Sequence, residues 1–76
     1  MQFYELIERW TNGPGAYITK NLTRERAEEL RAEGIQRHVD YDVQHSPHYV
    51  DEAELERLTA LAESFFEIVP GRDFAA

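Results

Sequence analysis

The stretch IQRHVDYDVQH, residues 35–45, alternates between apolar and polar side chains. On an extended backbone Ile35, Arg37, Val39, Tyr41, Val43 and His45 share one face, and Gln36, His38, Asp40, Asp42 and Gln44 share the other. The first set is mostly apolar and the second wholly polar. That pattern predicts a strand with one buried and one solvated face, as in an antiparallel sheet covered on a single side.

Upstream of this stretch, Thr23 predicts the start of a helix and Gly34 its end. Leu22 and Ala27 flank the start as a hydrophobic staple. Leu30 and Ile35 stand where a glycine-terminated helix makes its closing apolar contact. Within it, Glu25, Glu28, Glu29 and Glu33 alternate with Arg24, Arg26 and Arg31 at spacings that let them pair. Further upstream, Asn12-Gly13-Pro14-Gly15 is a dense turn signal. It separates Phe3–Trp10 from the β-forming run Ala16–Thr19. Phe3, Leu6, Ile7 and Trp10 also fit a helical stripe, but two short runs around an Asn-Gly loop read as a hairpin.

Downstream, His45 to His48 forms a loop. Asp51 is then a helix cap, with Glu54 three residues on and Val50 and Leu55 placed as a staple. Leu55, Leu58, Ala62, Phe65 and Val69 recur at helical spacing, which carries the predicted helix through Val69. Pro70 and Gly71 close it, and residues 71–76 read as a loose tail. The expected fold is α+β, one domain over residues 1–76. It has a small three-stranded, mostly antiparallel sheet in the order β-β-α-β-α, with two helices on one face.

Seventy-six residues allow one modest core. There is no Cys, so neither disulfides nor thiolate metal ligands supplement it. No apolar run reaches signal-peptide or membrane-spanning length, and the first residues lack a basic segment, so a cytoplasmic protein is expected. Eight basic residues against fifteen acidic give a net charge of −7. Such a balance disfavours direct binding to nucleic acid or to an anionic membrane and suits a basic protein partner.

His38, Asp40, Asp42, His45 and His48 are the one cluster of potential acid–base or ligand groups, and they define a third reading as a metal-assisted enzyme. Against it, His45 falls on the opposite strand face from His38, and His45 and His48 lie on a Pro-containing loop without helical context. No catalytic residue, metal site or cofactor is expected. Ser46 and Ser64 lack a nucleophile-elbow pattern. Asn12–Gly15 lacks the Lys and the following helix of a phosphate loop.

The expected function is therefore non-enzymatic binding. Glu52, Glu56, Glu63 and Glu67 would line the last helix as a strip without Lys or Arg, joined by an Asp40/Asp42 row, against a basic protein surface. That surface would include the nucleic-acid-binding site of a partner. In size, acidity and lack of Cys the chain is similar to phage-encoded inhibitors of host defence such as anti-CRISPR proteins. The resemblance is one of type and carries no residues over. The second reading is a structural or regulatory homodimer through Phe66, Ile68 and Val69 on the last helix.

Overall fold

A computed structural model describes residues 2–71. Two strands open the chain, β1 (Tyr4–Arg9) and β2 (Ala16–Leu22). They form the expected hairpin around residues 11–15. Trp10 N–H donates to the Gly15 carbonyl at 2.9 Å to close it. A Cβ at Gly15 would overlap the Trp10 indole, so the ring packs on bare backbone there.

The helix α1 (Arg24–Gln44) follows. Thr23 caps it as expected, its hydroxyl accepting from Arg26 N–H at 3.1 Å. The helix does not stop at Gly34. It runs through residues 35–44, where the alternating pattern predicted a strand. Ala27, Leu30, Gly34 and His38 share one side of it, and Ala27, Gly34 and Val39 are buried. Gly34 is a packing glycine: a Cβ there would stand 2.5 Å from the Phe66 ring. α1 ends at His45, just before Ser46 and Pro47, where a helix is disfavoured.

Next is α2 (Glu52–Glu63), capped as expected by Asp51, whose carboxylate accepts from Glu54 N–H at 2.8 Å. It stops six residues short of Val69. Ser64 ends it, and β3 (Phe66–Pro70) takes up the aromatic and β-branched run that follows. The observed order is thus β-β-α-α-β. The α+β class, the three strands and the two helices are as expected; the third strand lies at the end of the chain.

The sheet is antiparallel throughout, in the order β2-β1-β3. Parity divides β1. Tyr4, Leu6 and Glu8 face α1; Glu5, Ile7 and Arg9 face the other way. α1 lies across all three strands and α2 packs against α1. The core is Leu6, Ala27, Val39, Leu58, Ala62 and Phe66. Gly71, expected in the loose tail, donates to the Phe3 carbonyl at 2.8 Å. The rest of that tail lies outside the described residues. No helix among them is long and apolar enough to cross a membrane.

Candidate functional site

Three of the four strip residues stay together. Glu52, Glu56 and Glu63 stand on one side of α2, all exposed, over about 16 Å of helix rise. None of them pairs with Lys or Arg among the described residues. Glu67 is elsewhere. It sits in β3, and its carboxylate accepts from Arg9 at 2.7 Å. Arg57 lies on α2, 3.6 Å from Glu54. It stands about 100° around the helix from Glu56, while Arg31 of α1 reaches the end of the strip, donating to the main-chain carbonyl of Glu63 at 3.4 Å.

The Asp40/Asp42 row does not form. Both residues are helical, and two positions apart on a helix point to different sides. Asp40 is exposed and accepts from the Gln36 amide at 2.8 Å. Asp42 is half-buried at the mouth of a cavity. The helix disperses the His/Asp cluster as well. The His45 ring stacks on Tyr41 at 4.0 Å, and the His48 ring stands 3.3 Å from Glu54. Among the described residues no three His, Asp or Glu gather in a way that could hold a metal ion.

The residues expected to pair two copies do not form a helical surface. Phe66 is 5% exposed, under Gly34 of α1. Ile68 and Val69 alternate along β3 onto opposite faces of the sheet and are half-buried. The large apolar residues exposed on α2 are Leu55 and Leu61.

A group that the sequence reading missed lies between β1 and α1. Glu8 points from the strand toward the helix and is only 24% exposed. One of its oxygens accepts from Arg37 at 3.0 Å, and the other stands 3.2 Å from His38 Nε2. The His38 ring stacks on Phe65 at 5.7 Å and meets the edge of Phe66 at 5.5 Å. Beside it opens a cavity of about 520 Å³, walled by Tyr41, Asp42, Leu61 and Phe65. Both Glu8 oxygens are engaged, so this carboxylate anchors the helix to the central strand. The readable signal was parity: a Glu on the same strand face as Leu6 must find a partner when the face is covered.

No family model matches this chain, and neither a curated protein nor a solved structure does.

Proposed function

We propose that the chain is a non-enzymatic binding protein that engages a basic protein surface through the outer side of α2. One contrast carries this reading. Three of the four Arg residues of α1 are paired with carboxylates, Arg24 with Glu28, Arg26 with Glu29 and Arg37 with Glu8 of β1, and the fourth, Arg31, donates to the main-chain carbonyl of Glu63 at 3.4 Å. Glu52, Glu56 and Glu63 have no such partner among the described residues, and a capped helix presents them in a row without a large ordering cost. The net charge of −7 adds long-range attraction to a cationic surface. A surface that binds nucleic acid is cationic and spaced for phosphates about 7 Å apart, so inhibition by occupying such a site is the role we favour, in a cytoplasmic setting.

The test compares two charge-equivalent variants. Glu56→Lys with Glu63→Lys changes the strip; Glu29→Lys with Glu33→Lys makes the same charge change on α1. A fluorescent arginine-rich peptide serves as probe at low ionic strength. The α2 variant should bind it at least tenfold more weakly than the wild type, about 1.4 kcal/mol, and the α1 variant should lose much less. Equal losses would mean that only bulk charge attracts the peptide, and the α2 surface would lose its claim.

A further inference from the structure

β2 is exposed on both of its faces. Every residue from Ala16 to Asn21 is exposed, including Tyr17 at 66% and Ile18 at 52%. The strand lies at the sheet edge and pairs only with β1. Edge strands are ordinarily protected by charges, prolines or bulges. Here Lys20 is the single charge in the strand, and the irregularity falls at its far end, where Asn21 has φ 59°. The stretch before it is open.

The direction of its main-chain groups follows from neighbouring hydrogen bonds. Trp10 N–H points to the Gly15 carbonyl, and Arg9 N–H points the other way, to Phe65 on the β3 side, at 2.8 Å. In an antiparallel ladder the alternation continues, so Tyr17 and Thr19 turn their N–H and C=O groups to β1. Those of Ala16, Ile18 and Lys20 turn outward.

We propose that this edge pairs antiparallel with the same edge of a second copy, about a two-fold axis through Ile18, to make a six-stranded sheet. A two-fold axis perpendicular to the sheet can pair only residues of equal parity, because both must keep the same face. Centring on Ile18 sets Ile18 against Ile18, Tyr17 against Thr19 and Ala16 against Lys20. All three outward-turned residues are then used, for about six main-chain hydrogen bonds; centring on Tyr17 would use two of them, for about four. No like charges meet, and aromatic and β-branched residues make favourable cross-strand pairs.

Charge selects a second copy as the occupant. None of the fifteen acidic residues lies in β2, so two molecules of net charge −7 can meet here with the least repulsion. A basic partner would meet only Lys20. Ile18 also pairs with Ile7 on the face away from α1. Joining the edges makes a continuous apolar band, Ile7–Ile18–Ile18–Ile7, across the seam. On the other face Tyr17 packs on Trp10 at 5.8 Å, and that exposed aromatic pair would cover the partner's Thr19.

Sedimentation equilibrium of the whole chain, from micromolar to near-millimolar protein, tests this directly. The wild type should show a reversible dimer that strengthens as NaCl rises, because salt screens the repulsion between two acidic molecules. Ile18→Pro removes an outward N–H that the monomer does not use, so it should give a folded monomer by circular dichroism. Leu61→Ser, on the exposed apolar side of α2, should leave the dimer intact. Because the chain has no native Cys, Ile18→Cys should oxidise to a covalent dimer, the opposed Cα atoms being about 5.5 Å apart. A wild type that stays monomeric throughout would overturn the proposal. So would a dimer lost in Leu61→Ser but kept in Ile18→Pro, or cross-linking through Tyr17→Cys in place of Ile18→Cys.

Discussion

Gly34 occupies the place where α1 comes closest to β3. Glycine inside a helix is ordinarily a weakness, and Gly→Ala at an exposed site gains roughly 0.5–1 kcal/mol. Here the sign reverses, because the added methyl would stand 2.5 Å from two atoms of the Phe66 ring. Overpacking a core of this kind costs about 1–3 kcal/mol. Gly34→Ala should therefore lower the urea midpoint, and Phe66→Leu in the same chain should recover part of the loss. A double-mutant cycle over the two positions should show coupling. Additive effects would mean that the helix simply shifts to admit the methyl. The sequence reading also singled out Gly34, but as the residue that ends the helix. The residue was correctly singled out and its cause was misread: a buried packing glycine and a terminating glycine look alike without knowledge of what lies opposite.

At the scale of elements, the caps were legible and the periods were not. Thr23 and Asp51 each accept the hydrogen bond that their spacing implied, since capping depends on three or four consecutive residues. The hairpin was legible for the same local reason. Residues 35–44 were misread because Ile35, Val39 and Val43 are four apart, a spacing that satisfies a strand face and a helix face equally. The Phe65 and Val69 positions similarly extended the helical stripe of α2 across a true chain reversal. Each error moved candidate residues: Asp40 and Asp42 separated, Glu67 left the strip and Phe66 went into the core. The Glu8 group joins residues 29 and 30 positions apart in the chain, so no local pattern held it. Its energetics should be asymmetric. Arg37 is 64% exposed, and losing an exposed partner costs about 0–1 kcal/mol. Glu8→Ala removes the acceptor shared by Arg37 and His38 at a half-buried position and should cost more, about 1–3 kcal/mol. Urea midpoints of Glu8→Ala and Arg37→Ala would check this. Equal losses would mean that Glu8 serves Arg37 alone.

On the scale of the whole molecule, helices cover one face of a three-stranded sheet, and six apolar side chains are buried among the described residues. A core this small rarely supplies more than about 3–5 kcal/mol, and no disulfide adds to it. Apolar side chains at β2 remain largely in water, where they contribute little to the stability of one copy. If a second copy covers them, stability becomes a property of concentration, because anything that binds only the folded chain shifts the folding equilibrium toward it. The thermal midpoint of the wild type should then rise with protein concentration, and that of Ile18→Pro should not. Salt should act in the same direction. At a net charge of −7 the folded chain repels itself as well as its copy, so raising NaCl should raise the midpoint of both proteins, and more steeply for the wild type. Calorimetric scans at two concentrations and two salt levels separate these contributions. A midpoint that ignores concentration would mean that β2 stays solvated and that the small core alone holds the fold. One that falls with salt would mean that the surface ion pairs of α1 outweigh the excess of negative charge.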